Sequence, residues 1–276
     1  MRLFFLMLII CVCSTSAIAQ QDSAKTTTTT VALLYNSDIS YYGQATTERY
    51  PYILANATVR FPFGLYLSAG GYQLLNYGGS LSEADLGIGY EHDFNDKWNA
   101  SVSYTRSFFP KNSPLLAASN ENNFNLSLAY TGKWLKTSLA ADYALGKQQD
   151  FFLTLTNSKE IDLGHFLSEH NLISIEPAIE IVAGTRHFFE TYIVEKEKRN
   201  NGNGKGQGNT QTVITYTDVA KNSFELLSYN FKIPLTLSRS NYMFEANYQF
   251  SILGSKSNAD LKSHNSIFGL AFYYQF

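Results

Sequence analysis

The chain has 276 residues, of which 15% are aromatic and only 16% are charged, and its formal net charge is −2. Charged residues make up about a quarter of a typical soluble domain, so the charged fraction of this chain is low for a soluble domain. The absence of a basic surplus argues against a nucleic-acid-binding protein, and the aromatic content argues against a disordered chain. A hydrophobic fraction of 45% is too ordinary for a bundle of transmembrane helices. The composition therefore indicates a β-rich chain.

The N-terminal segment has the three parts of an export signal. Arg2 provides a positive start, an apolar run covers residues 3–13, and Ala17-Ile18-Ala19 has the small-x-small pattern of a cleavage site. The apolar run is too short to cross a bilayer as a helix, which needs about 20 residues. We therefore predict a signal peptide over residues 1–19 that is cleaved after Ala19.

The mature chain is predicted to be a single domain over residues 20–276. Both cysteines, Cys11 and Cys13, fall inside the signal peptide, so this domain would contain no disulfide. Neither cysteine follows a small residue, which disfavours lipid attachment.

Beyond the signal peptide, apolar residues recur at every second position rather than at helical spacing. This alternation predicts β-strands with one apolar and one polar face, separated by Gly, Asn, Asp, Ser and Pro clusters. Strands are predicted near residues 28–35, 50–61, 64–74, 83–94, 97–107, 122–131, 134–145, 150–165, 172–187, 224–237, 241–253 and 266–276.

The links between these strands alternate between short and long. The long ones cover residues 36–49, 108–121, 188–223 and 254–265, so they would all lie at the same end of an antiparallel sheet. Boundaries read from a sequence carry errors of a few residues, and 10 or 14 strands remain alternatives to about 12.

Two all-β architectures fit this alternation, a soluble β-sandwich and a membrane β-barrel. The polar faces are rich in Gly, Ala, Ser and Asn rather than in the Lys, Glu and Thr of a solvated sheet. Aromatic residues such as Trp98 and Tyr104 lie near the ends of the apolar faces, which is typical of the aromatic girdles of membrane barrels. The pattern favours the barrel.

The C-terminal segment carries a resemblance to a known class. Residues 267–276 alternate with apolar and aromatic side chains and end on phenylalanine, and the alternating set is Phe268, Leu270, Phe272, Tyr274 and Phe276. This segment resembles the assembly signal of outer-membrane β-barrel proteins, and the mature chain resembles the small barrels of Bacteroidota. The resemblance implies a transmembrane, antiparallel, up-and-down β-barrel in the cell outer membrane. Its partners would be outer-membrane lipids and the barrel-assembly machinery, which would bind the C-terminal strand.

Three residues fit the predicted strands badly. Pro177 and Pro234 lie within strands, where each removes a hydrogen-bond donor, so we expect a bulge or local distortion there. Lys159 falls on the lipid-facing side, where a lysine at the bilayer midplane costs about 2–4 kcal/mol. We expect either a bulge over residues 157–159 or a turn near Thr156.

The alternation also predicts which charged residues face the lumen. The predicted lumen-lining residues are Arg60, Asp85, Glu91, Lys136, Asp142, Glu176, Glu180, Lys232 and Glu245, with further acids at Asp93, Glu160 and Asp162. A surplus of carboxylates would make an open lumen prefer cations. A barrel of about 12 strands is narrow, and bulky inward residues favour a narrow or plugged interior over a wide pore.

These observations predict a porin-like or structural barrel that is not an enzyme. Alternatives are a membrane component of a secretion or surface-assembly complex and, less favoured, an outer-membrane lipase using His187 or His264. No metal-ligand spacing and no cofactor motif is found, and the glycine-rich stretch over residues 200–209 lacks the ending of a phosphate loop.

Overall fold

The computed structural model describes residues 26–76, 81–110, 120–146, 149–185, 224–254 and 261–276. The predicted signal peptide, the long loop over residues 188–223 and His187 lie outside the described residues. In the described ranges, no helix is long and apolar enough to cross a membrane.

The described chain forms fourteen β-strand segments. They are β1 (Thr28–Asn36), β2 (Tyr52–Arg60), β3 (Leu65–Leu74), β4 (Glu83–Asn95), β5 (Trp98–Phe108), β6 (Asn122–Thr131), β7 (Lys136–Leu145), β8 (Gln149–Ser158), β9 (Ile161–Phe166), β10 (Ser168–Ile175), β11 (Ala178–Gly184), β12 (Glu225–Arg239), β13 (Tyr242–Leu253) and β14 (His264–Gln275).

The segments form one antiparallel sheet that closes on itself. β1 pairs with both β2 and β14, and β11 pairs with both β8 and β12, which completes the ring. β8 and β9 occupy one position in the wall, and so do β10 and β11. Two of the strand segments are thus continuations of others, so the wall has 12 strand positions. The predicted all-β, up-and-down, 12-stranded barrel is confirmed.

Of the two prolines predicted to distort the sheet, Pro177 lies between β10 and β11, and Pro234 lies in β12 opposite that interruption. The backbone N–H of Lys159 donates to the carbonyl of Pro177 at 3.1 Å, and that of Glu176 donates to the carbonyl of Pro234 at 3.2 Å. Antiparallel residues in such a pair normally exchange two hydrogen bonds. Proline has no N–H to return, so each pair keeps only one bond. The predicted local distortion is confirmed at Pro177, where the strand is interrupted between β10 and β11. At Pro234 one hydrogen bond is missing, but β12 continues and its register with β13 does not shift.

The prediction for Lys159 was wrong in both forms. The strand neither bulges over residues 157–159 nor turns near Thr156, because the register is the same at Ser158 as at Ile161. The irregularity comes later in β9, and the turn falls at Leu167. Lys159 lies just past the start of β7, and its Nζ is 5.2 Å from the centre of the Trp134 ring. The lysine is therefore at one end of the barrel, where a charge is not excluded by lipid.

The strands are strongly tilted, as closure of a sheet into a barrel requires. Following paired residues in one direction, Val31 in the middle of β1 is linked step by step to Leu145 at the end of β7. In the other direction it is linked to Arg239 at the end of β12. The turns after β2, β4, β6, β9 and β12 lie at the same end as the start of β1. We call this the short-turn end, and the opposite end the long-loop end.

The two faces of the sheet differ in chemistry. Because the barrel is a single closed layer, buried side chains such as Phe152 and Val182, which are 2% and 1% exposed, lie on its enclosed face. The outer face carries large exposed apolar residues such as Leu126 and Leu270. Aromatic rings pair on this face, as in Trp98 with Tyr130, whose centres are 4.8 Å apart. This pattern is typical of a barrel surrounded by lipid.

Candidate functional site

The connection between β1 and β2 contains a tight turn formed by Tyr41, Tyr42, Gly43 and Gln44. Tyr41 and Gln44 exchange backbone hydrogen bonds of 2.9 and 3.0 Å. The two central residues have positive φ angles, 51° at Tyr42 and 82° at Gly43. This is the backbone of a type I′ turn, which allows the chain to reverse within two residues. We call residues 37–51 the inner loop.

The turn of the inner loop packs against the far wall of the barrel. The ring of Tyr42 stacks on that of Phe152 with centres 3.8 Å apart, and Tyr41 meets the same ring edge-on at 5.5 Å. β8, which carries Phe152, lies across the ring from β1 in the strand order. The aromatic pair contacts a fully buried cluster that consists of Ala144, Phe152, Val182 and Leu227. The inner loop therefore crosses the lumen.

Polar contacts hold the turn in this position. The hydroxyl of Ser228 donates to the backbone carbonyl of Tyr42 at 2.8 Å, and the amide of Asn120 donates to the hydroxyl of Tyr41 at 3.0 Å. Burial, reinforced by nearby carboxylates such as Asp142, raises the pKa of both tyrosines above the ordinary value of a phenol. Both hydroxyls are therefore neutral at physiological pH and can donate hydrogen bonds.

The base of the inner loop is anchored by a buried carboxylate. Asp38 is 2% exposed and accepts hydrogen bonds from the backbone N–H of Tyr50 at 2.9 Å and from Nζ of Lys262 at 3.1 Å. The backbone N–H of Lys262 donates to the carbonyl of Ala45 at 3.1 Å. The segment just before β14 thus fixes the inner loop where it enters the barrel. A buried carboxylate needs such partners, because burying an unpaired charge is costly.

The strand register places all nine predicted lumen-lining residues on the same face as Phe152. Two ion pairs form among them, one between Arg60 and Glu91 and one between Lys232 and Glu180, whose atoms are 2.6 Å apart. The first pair links β2 to β4 and the second links β11 to β12. These bases therefore neutralise carboxylates on nearby strands.

The other predicted acids accept hydrogen bonds from neutral groups. Asp85 accepts from Ser107 at 2.6 Å, Asp142 from Asn125 at 2.8 Å, Glu176 from Ser158 at 2.8 Å and Glu245 from Asn247 at 3.1 Å. Lys136 lies opposite Ser158 at the start of β7. Within the described ranges, these four acids form no ion pair, so their charge is not balanced locally.

The residues of the inner loop were not among the predicted site residues. Residues 36–49 were predicted as a long external connection between two strands, without a role for Asp38, Tyr41 or Tyr42. Two adjacent aromatic residues followed by glycine were the available signal, because each aromatic ring can bury a large area against a neighbouring surface.

The structure also tests the geometry that a hydrolase would need. Nδ1 of His264 lies 3.1 Å from the hydroxyl of Ser263, its neighbour in sequence, and both side chains are exposed. A catalytic histidine is oriented by a third polar group on its other ring nitrogen. The contacts of His264 with the other described residues include no such hydrogen bond. Among those residues, no group of three or more His, Cys, Asp or Glu is arranged to hold a metal ion.

Comparison with known proteins gives similar folds only. No protein-family model and no curated protein matches this sequence. Among solved structures, the KdgM porin is 12% identical with a TM-score of 0.47, covering 90% of this chain and 99% of the porin. An outer membrane channel from Pseudomonas putida F1 is 11% identical with a TM-score of 0.49, covering 94% of this chain and 100% of the channel. LpxR from Salmonella typhimurium is 9% identical with a TM-score of 0.45, covering 89% and 99%. At this level of similarity, none of these proteins assigns a function to the chain.

Proposed function

We propose that the protein is an integral outer-membrane β-barrel that passes small solutes or cations through a restricted acidic lumen, and that it is not an enzyme. Closure of the sheet supports the membrane location, because closed barrels leave few backbone groups unpaired in lipid. The exposed apolar outer face supports it as well, since a surface of this kind is unfavourable in water.

The position of the inner loop is the observation that supports a restricted lumen. Its turn reaches from β1 to Phe152 on the far wall, so a solute has to pass beside it. Ser228 in β12 and Asn120 just before β6 hold the turn through hydrogen bonds. A barrel of this size encloses little free space, and a loop that crosses it narrows the path further.

The preference for cations follows from the unbalanced acids. Asp85, Asp142, Glu176 and Glu245 lie on the enclosed face without a basic partner among the described residues. Carboxylates along a narrow path attract cations and repel anions. We therefore expect reversal potentials that favour potassium over chloride.

Recordings from the refolded protein in planar lipid bilayers test this function. We expect small, cation-selective conductance steps from the wild type. The double variant Tyr41→Ala/Tyr42→Ala removes the rings that contact Phe152, so the loop should leave the far wall and the conductance should increase about twofold or more, because a narrow path is limited by its constriction.

The matched control removes an aromatic pair from the outer face. Tyr104 and Phe124 are 4.8 Å apart there, and the double variant Tyr104→Ala/Phe124→Ala should conduct like the wild type. Absence of current across a wide voltage range, from both the wild type and the inner-loop variant, would contradict the proposed channel.

A further inference from the structure

β9 is the one described strand with a single neighbour. It pairs with β10, while every other described segment pairs with at least two strands. The reason is that β7 begins at Lys136, which pairs with Ser158 at the end of β8. No described strand reaches further along that side. A closed barrel normally removes every sheet edge, so an edge that remains is noteworthy.

The free hydrogen-bonding groups of β9 can be identified from the register. Because Lys159 donates to Pro177, the odd-numbered residues at the start of β9 face β10. Antiparallel strands alternate between residues that face one neighbour and residues that face the other. The backbone N–H and C=O of Asp162 therefore point away from β10, toward the free edge. An unpaired edge of this kind can accept a further strand.

The hairpin formed by β9 and β10 extends past the rest of the barrel. β10 pairs with β12 only over residues 172–175, so no other strand in the described part of the chain lies beside β10 before Leu172. Side chains on both faces of the hairpin are exposed, and Leu167 at its tip is 89% exposed. The free edge is thus accessible from the short-turn end of the barrel.

The charge of the edge selects among possible partners. Glu160 and Asp162 lie along it and Glu169 lies on the facing strand of the hairpin, whereas the Nζ of Lys159 is turned toward Trp134. Two copies of this edge would bring like charges together, which is destabilising across paired strands. A strand with basic side chains would instead meet opposite charges.

We propose that the free edge of β9 binds an extended, basic segment of a different protein, which adds to the sheet as a further strand. The proposal rests on the proposed function for one point, that the barrel lies in the outer membrane, where short turns face the periplasm. Charged residues and an irregular register at Gly164 keep the edge from pairing with neutral strands, a common protection of sheet edges. They do not prevent pairing with a strand of complementary charge. Such a partner would make the barrel the membrane component of a larger assembly.

Fluorescence anisotropy on the full-length mature barrel in detergent tests the proposal. The probe is a short fluorescein-labelled peptide of alternating lysine and valine, and the comparison peptides replace lysine with glutamate or the central valine with proline. We expect saturable binding of the basic peptide alone. The proline peptide cannot complete a ladder, so it should bind about tenfold more weakly or worse.

Three variants separate strand addition from simple charge attraction. Asp162→Pro removes an edge N–H but no β9–β10 hydrogen bond, and it should weaken binding of the basic peptide about tenfold. Asp162→Lys should weaken it and allow the glutamate peptide to bind. Asp96→Lys makes the same charge change in the turn after β4, at the same end of the barrel, and should have no effect. Folding of each variant is checked by its heat-dependent mobility on gels.

The proposal is overturned if the basic and proline peptides bind equally, if Asp162→Pro binds as the wild type does, or if the barrel forms dimers through β9 instead. None of these measurements depends on conductance. Failure of the channel recordings would therefore leave the binding result intact, and the reverse also holds.

Discussion

At the scale of single residues, the inner loop depends on one glycine. Gly43 has a φ of 82°, which is disfavoured for other residues, and a side chain there would also have no room. A Cβ atom on Gly43 would lie 2.1 Å from the hydroxyl oxygen of Ser228 and 2.4 Å from Oδ1 of Asn230. Both oxygens belong to β12, so the glycine is what lets the turn approach the wall.

Gly43→Ala is expected to displace the turn and to increase the conductance. The left-handed backbone costs an alanine about 1–2 kcal/mol, and the two side chains of β12 leave no space for its methyl group. Single-channel recordings measure the effect as a larger conductance step. The barrel itself should stay folded, because Gly43 belongs to no strand.

Gly164→Ala is the matched control for this prediction. Gly164 has a φ of 97°, but a Cβ atom there would meet nothing within 4 Å. The variant therefore carries the same backbone strain without the clash, and its conductance should equal that of the wild type. Equal conductance of the Gly43→Ala variant and the wild type would show that the turn does not limit the current.

At the scale of the strand, the two prolines show what a sequence can reveal. A proline within a strand predicts a missing hydrogen bond whatever the surrounding fold, so the lost donors at Pro177 and Pro234 could be identified from local chemistry alone. The position of Lys159 could not, because its distance from the bilayer midplane depends on the tilt of the whole barrel and on where β7 begins.

The variant Pro234→Ala tests whether the missing proline N–H contributes to the interruption between β10 and β11. The new amide at position 234 should donate to the carbonyl of Glu176. Its hydrogen-exchange rate, measured by NMR in detergent micelles, should be about tenfold or more below that of an exposed amide. Unfolding free energy should change by less than about 1 kcal/mol, because the added hydrogen bond is offset by the greater freedom of the unfolded chain.

The control for the broken strand is Pro62→Ala, in the turn between β2 and β3. Its new amide lies outside the ladder and should exchange rapidly. If the amides at positions 234 and 62 exchanged at the same rate, the missing proline N–H would not be the cause of the interruption.

The strands themselves could be predicted well from the sequence, and the inner loop could not. Alternation along a strand such as β13 is imposed by its two different environments, so it is visible in the order of its residues. The contact of Tyr42 with Phe152 joins residues far apart in the chain, and no periodicity records it. Pairing of Lys262 with Asp38 is hidden from the sequence for the same reason.

At the scale of the whole molecule, the two ends of the barrel differ. Short turns and both ends of the strand series lie at one end, while β5, β11 and β13 end at the other, where the inner loop enters the barrel. Bacterial outer-membrane barrels place short turns in the periplasm and long loops outside the cell. The compartment in which the proposed partner of β9 is found depends on this orientation.

Cysteine labelling determines the orientation directly. Leu167→Cys marks the tip of the β9–β10 hairpin at the short-turn end, and Ser263→Cys marks the exposed residue before β14 at the long-loop end. The sequence beyond residue 19 contains no other cysteine, so each label reports one site. In intact cells, a membrane-impermeant maleimide should label the Ser263→Cys variant, and it should label the Leu167→Cys variant only after the outer membrane is permeabilised. The reverse pattern would place the free edge of β9 outside the cell, and its partner would then have to be an extracellular protein.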